Sequence, residues 1–353
     1  MIAGLNLKTY LESNRTIISS QIVFYNLKAN SFSKSPINSF FGQMFFLKYL
    51  SNGYVAGTSV PVWFFGGQLN TSVIIWNPQT GSSIRIYSEH TSSVYILDQI
   101  DTDTIVSGSY GTIRIWKIST GLTLSVINVE SFSLRVLLNR FEIVCGLENY
   151  TSTTLQIYNY NTGELVRTLG PSLNTSVGYC STIEILNDRY VASGCFSSVI
   201  IWDLNTYLVK NYLKGHFTQV LDIIRLSSDF MASADRSGVI IIWDLNTFLV
   251  KYNLIGHSTE VFHFKRISSD FMASADESGV IIIWNWLQGT LVHMIQGQPK
   301  DSLISYLDMY DSQTLISSFN QTLEFWNISN GQLIQTINTD NLIFSLVVIR
   351  KSL

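Results

Sequence analysis

The sequence predicts an all-β protein built from repeats, on three observations. Units of about 40 residues recur along the chain, and each closes on a short β-branched run that ends in an aromatic residue. The composition is 46% apolar and only 13% charged. A fixed period of roughly 20 to 50 residues marks an array in which each unit buries its faces against its neighbours. Such a composition suits strands buried on both sides and is the opposite of a disordered chain.

The repeat is sharpest in the second half. The segment "SSDFMASADRSGVIIIW" at Ser227–Trp243 returns at Ser268–Trp284 with 16 of 17 positions identical. The segment starting "WDLNT" at Trp202 returns at Trp243 with 11 of 15 identical, at the same offset of 41. Weaker copies end at Trp76, Trp116, Tyr158 and Trp326, and the successive steps from Trp76 are 40, 42, 44, 41, 41 and 42 residues. An earlier unit ends at Tyr25, 51 residues before Trp76, and the excess falls in an insertion, Pro61–Asn70.

Each unit reads as four strands. Val220–Leu226 alternates loosely, Phe230–Ala234 carries small residues, Val239–Trp243 is β-branched throughout, and Phe248–Leu254 alternates apolar with polar. The segments "SSD", "DRSG" and "DLNT" between them supply turn chemistry. A buried helix over Val239–Trp243 would need greater length and fewer β-branched residues.

Gly215-His216 and Gly256-His257, the strand serines Ser233 and Ser274, and the pairs Trp202-Asp203 and Trp243-Asp244 are the features by which the chain resembles the WD-repeat (WD40) family. The resemblance spans essentially the whole chain, so residues 1–353 are expected to form one domain. It implies a WD40-like β-propeller, in which four-stranded blades stand around a channel and only short edges remain exposed. It also implies a buried structural network from the Trp indole through a strand Ser to the His. By position its members are His216, Ser233 and Trp243; His257, Ser274 and Trp284; and His90, Ser107 and Trp116, where Glu89 replaces the usual Gly. The family's turn Asp would fall at Ser237 and Ser278, whereas Asp235 and Asp276 come two residues earlier. Units ending at Tyr158, Trp202 and Trp326 have no Gly-His and are expected to rely on apolar packing.

Counting strands gives eight blades. "MIAGLN" matches a second strand and the C-terminal "NLIFSLVVIRKSL" matches a first strand, so one blade should be assembled from both ends, with Leu342–Arg350 innermost. Seven blades, the commoner number in the family, is the alternative.

Several function classes lack support in the sequence. The net charge is −3 with no dense basic run, which argues against nucleic acid as partner. No apolar segment reaches the length of a membrane span, and the start of the chain does not read as a secretion signal, so a cytoplasmic protein is expected, with a nuclear one as the other possibility. The three cysteines, Cys145, Cys180 and Cys195, lack C-x-x-C spacing and are expected to be reduced, buried thiols. No nucleophile elbow, zincin motif, P-loop or dinucleotide fingerprint occurs. Without such motifs, no catalytic, metal or cofactor-binding residue and no cofactor is assigned.

The expected function is therefore a non-catalytic scaffold that binds other proteins or peptides through loops and the channel face, alone or within a larger complex. A propeller-type enzyme and the targeting region of a larger signalling protein are the alternatives. The candidate partner-binding residues follow the Gly-His positions: Gln219, Asp222, Glu260 and His263, with Ser93 and Tyr95 in the His90 unit. Trp63, Phe64 and Phe65 in the insertion are candidates because aromatic anchors dominate binding energy.

Overall fold

The computed structural model describes residues 2–12, 15–26, 31–34, 40–41, 43–60, 71–147, 154–170, 180–297, 304–319, 322–338 and 346–348. The chain opens with β1 (Ile2–Glu12), β2 (Arg15–Asn26), β3 (Ser31–Lys34) and β4 (Phe40–Phe41). Four-stranded sets follow: β5 (Gln43–Tyr49), β6 (Val55–Val60), β7 (Val73–Trp76) and β8 (Ser83–Tyr87); then β9 (Val94–Gln99), β10 (Thr104–Ser109), β11 (Thr112–Lys117) and β12 (Thr123–Asn128). Next come β13 (Ser131–Leu137), β14 (Glu142–Leu147), β15 (Leu155–Asn159) and β16 (Leu165–Leu169). The middle holds β17 (Thr182–Ile185), β18 (Tyr190–Asp203), β19 (Leu208–Arg225), β20 (Phe230–Asp235), β21 (Ile240–Asp244) and β22 (Leu249–Leu254). The chain continues with β23 (Val261–Arg266), β24 (Phe271–Asp276), β25 (Val280–Asn285) and β26 (Thr290–Gln296), then β27 (Ile304–Met309), β28 (Thr314–Phe319), β29 (Thr322–Asn327), β30 (Leu333–Asn338) and β31 (Leu346–Val348). Among the described residues the sole helical turn is 3-10, at Leu138–Arg140, and no helix is long and apolar enough to cross a membrane.

These strands make antiparallel meanders, and the sheet count corrects the expectation of eight separate blades. Among the described residues six sheets are built from consecutive strands: five of four strands and one of six, β17 to β22. A seventh sheet joins the two ends of the chain in the order β3-β2-β1-β31, with β4 on β2. The six-stranded sheet exists because β18 and β19 run through positions where other units break. The first part of β18 pairs with β17 and its last part with Leu208–Lys214 of β19, while Val220–Arg225 of β19 pairs with β20.

Strand chemistry explains position within each sheet. Third strands such as Val73–Trp76 and Ile240–Trp243 are buried along their length because neighbouring sheets cover both faces, which suits unbroken Val/Ile runs. Fourth strands lie outermost and expose most of their side chains, as in Leu333–Asn338. Second strands carry small residues, Ala232 and Ala234 among them, and the core cluster there draws Ile240 and Ile242 together with Met272, Ile282 and Trp284 of the next sheet. Seven third strands have a register shift just before the terminal aromatic, at Trp76, Trp116, Tyr158, Trp202, Trp243, Trp284 and Trp326, whereas β2 pairs with β3 through Tyr25 without one. A bulge there increases local twist and turns the aromatic inward.

The first strands form the inner wall. β5 packs beside β9, β9 beside β13, β13 beside β17, β17 beside β19, β19 beside β23, β23 beside β27, β27 beside β31, and β31 beside β5. The circuit is closed, and the closing strand β31 also pairs with β1 through Ile2↔Val348 to Gly4↔Leu346. Closure of this kind leaves no gap in the ring of first strands.

The cysteines depart from expectation. Cys180 and Cys195 form a disulfide with their Cα atoms 4.1 Å apart, whereas Cys145 is free and buried. The β17–β18 register, with Thr182 opposite Gly194, brings together two residues whose separation of 15 gave no motif.

Candidate functional site

The buried networks decide which polar residues are engaged in the fold. In one unit Trp243 Nε1 donates to Ser233 Oγ at 2.7 Å, Ser233 Oγ lies 2.7 Å from His216 Nε2, and His216 Nδ1 lies 2.9 Å from Asp235 Oδ2. The next unit repeats this with Trp284, Ser274, His257 and Asp276 at 2.8, 2.6 and 2.8 Å. Every polar group is satisfied when the imidazole is neutral, with Nδ1–H on the carboxylate and the serine O–H on Nε2. Asp235 and Asp276 thus fill the fourth place despite coming two residues early. The other oxygen of Asp235 accepts from Ser237 and from the Val239 N–H, which holds the turn around the carboxylate. Gly238 in this turn has φ +87°, and a Cβ there would meet Thr259 O at 2.9 Å.

Burial pushes the Asp235 and Asp276 carboxyls up, but the bonds from His216 and His257 and from Ser237 and Ser278 outweigh it, and both sit below the usual range. The glycine of Gly-His has its own reason. A Cβ on Gly256 would lie 2.9 Å from Ile282 Cδ1 and 3.0 Å from the Trp284 ring. In the His90 unit Trp116 donates to Ser107 at 3.0 Å and His90 Nε2 lies 2.6 Å from Ser107, but Ser109 replaces the aspartate at 2.8 Å from Nδ1. Burial and the Arg114 charge push His90 down to about 3, so it stays neutral.

Units without Gly-His keep more of the network than expected. Trp202 donates to Ser193 and Trp326 to Ser317, each at 2.8 Å. In the unit ending at Trp76, Gly57 occupies the serine place opposite the strand, and the Trp76 indole nitrogen has no partner among the described residues.

The inner wall carries a second polar set. Lys48 of β5 pairs with Asp98 of β9 at 2.6 Å, Arg135 of β13 with Glu184 of β17 at 3.9 Å, and Lys265 of β23 with Asp308 of β27. Carboxylates also cap the next strand: Asp98 accepts from Val136 N at 3.1 Å, Glu184 from Arg225 N at 3.4 Å, and Asp222 from Phe264 N at 3.2 Å. The inner edge of a first strand has no strand beyond it, so its free N–H groups need such acceptors. Two residues earlier, just past a bulge in each strand, stand Asp222, His263 and Tyr306. The His263 and Tyr306 rings lie 6.3 Å apart. Burial lifts the Asp222 carboxyl to about 7 against its bonds from the Ile223 and Phe264 amides, with Glu184 raising it further. Burial also pushes the Tyr306 phenol and the Glu184 carboxyl up.

The expected binding residues divide. Asp222 and His263 come together on neighbouring inner strands and are part-buried. Glu260 is part-buried and paired with Arg236 at 3.1 Å, and Tyr95 is exposed. Ser93 and Gln219 are not surface groups, being 5% and 7% accessible. The Gln219 carbonyl accepts from Arg236 N at 3.0 Å. Trp63, Phe64 and Phe65 lie outside the described residues. The wall residues Lys48, Asp98, Arg135, Glu184, Lys265 and Asp308 were missed, although Asp98, Glu184 and Asp308 each precede a terminal Trp by 18 residues. Among the described residues no three His, Cys, Asp or Glu side chains group as metal ligands.

Bonds from Arg236 N to Gln219 O, Glu277 N to Glu260 O and Val129 N to Gly111 O tie three second-to-third-strand turns to the chain entering a first strand. Both kinds of loop therefore share one face. On it Phe217 and Phe196 are 87% and 57% accessible, with Tyr110 and Tyr95 also exposed.

No protein-family model matches the sequence, and no curated protein matches it. Among solved structures, the crystal structure of the computationally designed Ika8 protein is similar, with TM-score 0.69 and 20% identity over 86% of this chain and 89% of that one. A likeness at that identity concerns the fold alone. Radial four-stranded meanders, a closed inner wall and this likeness make the chain an all-β β-propeller.

Proposed function

We propose that the chain is a WD-repeat scaffold without catalytic activity, which binds other proteins or peptides through the loop face around the channel. The observation that carries this reading is the set of exposed aromatic side chains on that face: Phe217, Phe196, Tyr110 and Tyr95. Aromatic residues held at loop ends on a rigid wall give large contact area at small entropic cost, which is what binding hot spots use. The buried His, Ser, Trp and Asp side chains support the WD-repeat assignment by their order and spacing. Affinity capture with the full chain, compared with a Phe196→Ser/Phe217→Ser variant of unchanged melting temperature, tests it. Equal recovery of every captured protein by the two forms would sink the reading.

We read the six-stranded sheet as two units that share the continuous β19, one ending at Lys214 and the other starting at Val220. Together with the sheet closed by β31 this would make eight units, each headed by one strand of the inner wall. A crystal structure resolving the inner wall decides the count.

A second reading rests on one observation. Asp222, with its carboxyl near neutrality beside the His263–Tyr306 pair, is the kind of group a channel enzyme would use for proton transfer. A hydrolase screen in which Asp222→Asn abolishes activity would favour it over the scaffold.

A further inference from the structure

We infer that Cys180–Cys195 is a redox-linked brace that replaces the His–Asp pair in the unit ending at Trp202. Two neighbouring units place the comparison. In each, the network serine is followed two residues later by the aspartate, and that aspartate sits opposite a valine at the start of the first strand: Val220↔Asp235 and Val261↔Asp276. In the Trp202 unit the network serine is Ser193, so Cys195 stands in the aspartate place and Cys180 in the valine place. The other two units fasten this end of the strand pair through a His–Asp hydrogen bond. Here a covalent cross-strand link does so, and Cys195 Sγ lies 3.5 Å from the Ser193 hydroxyl.

The link sits where it can reach the loop face. Ser181, next to Cys180, donates through its backbone to Gly194 O at 2.9 Å and through its hydroxyl to Val220 O at 2.6 Å. A Cβ on Gly194 would lie 2.8 Å from Val220 Cγ1, so no slack separates this hairpin from β19. Val220 leads directly to Asp222 on the inner wall. After Cys195 the chain turns through Phe196, opposite Gln219, and Ser197 at φ +61°. Opening the disulfide frees the loop-face end of β17 and β18 against the strand that carries Asp222. Cys145 takes no part: it is buried and its thiol is pushed up to about 12 by that burial, so it is a poor nucleophile.

The chemistry is thiol–disulfide exchange with a low-molecular-weight disulfide. One cysteine thiolate attacks that disulfide and releases one thiol; the second thiolate attacks the mixed disulfide and releases the other. Two protons and two electrons leave the cysteine pair, and the small disulfide is reduced to two thiols. In the reducing interior expected from the sequence the pair would stand open until oxidant rises, which is the usual role of intracellular disulfides.

The test uses the purified full chain after equilibration with oxidised glutathione or with dithiothreitol. Unfolded without reductant, the oxidised chain should show one reactive thiol, and the reduced chain three. A disulfide closing a loop of this size restrains the unfolded chain enough to be worth about 4 °C in melting temperature for a domain of this length. The wild type and Cys145→Ser should therefore melt about 4 °C lower when reduced, and Cys180→Ser or Cys195→Ser should not respond. Three thiols in the oxidised chain, an unmoved melting temperature, or an equal shift in the Cys180 variant would each overturn the inference. The thiol count needs no variant to fold, and neither readout depends on a binding partner.

Discussion

Replacing Ser233 by alanine should cost more than any loss of contact area explains. The Ser233 hydroxyl accepts from Trp243 Nε1 and meets His216 Nε2, each at 2.7 Å, in a site closed to water: Trp243 is 1% accessible and the His216 side chain is fully buried. Alanine leaves an indole donor and an imidazole nitrogen unpaired together. Each orphaned buried group costs about 1–3 kcal/mol, while the lost hydroxyl brings back a smaller desolvation gain, so a net loss of about 3 kcal/mol is expected. At about 2 cal/mol/K per residue for the unfolding entropy, this lowers the melting temperature by about 4 °C. Scanning calorimetry measures it directly. A Trp243→Phe background supplies the control, since it removes the indole donor beforehand, and there the same serine change should cost about half as much. A shift below 1 °C in Ser233→Ala, or equal costs in both backgrounds, would refute the claim that the network is satisfied group by group.

Three further outcomes follow from the same geometry. Gly256→Ala should destabilise by about 1–3 kcal/mol, because its Cβ enters contact range of Ile282 and the Trp284 ring at 2.9 and 3.0 Å; denaturant midpoints measure this. Asp222 has a carboxyl raised to about 7, so its ionisation opposes folding. Its contribution is favourable at low pH, declines as pH rises from about 4 to 7, and is level above that; Asp222→Asn should be more stable than wild type at pH 8 by up to about 4 kcal/mol and lose this slope in pH-dependent melts. Asp276 behaves oppositely, because its carboxyl is held low: its contribution is complete above about pH 4 and lost as pH falls below that, so Asp276→Asn should flatten the acid limb of the melting profile.

Much of the fold was readable because the repeat constrains it many times over. One ambiguous strand tells little, but seven copies of a β-branched run closed by an aromatic residue identify the third strand of a meander. The Gly-His, Ser and Trp positions identify the buried network, since each is required by a local contact. The place of the aspartate was misjudged by two residues because a carboxylate reaches the imidazole from either end of the turn, and only the turn's own hydrogen bonds choose. The site was less legible. Ser93 and Gln219 looked exposed by position and are buried, because burial where the chain enters a strand leaves no periodic trace.

The amino-acid pattern by itself determined the all-β class, the unit length, the order of strands within a unit and the residues that fasten the His–Ser–Trp joints. These are local properties, set by side-chain period and by hydrogen bonds within about 40 residues. Tertiary structure decided which units fuse through a continuous strand, that Cys180 meets Cys195, and that Lys48, Asp98, Arg135, Glu184, Lys265 and Asp308 pair across neighbouring inner strands. The physical reason is that these contacts join side chains from separate turns and separate units, whose distance depends on register, bulge and ring closure and on no spacing within a single unit.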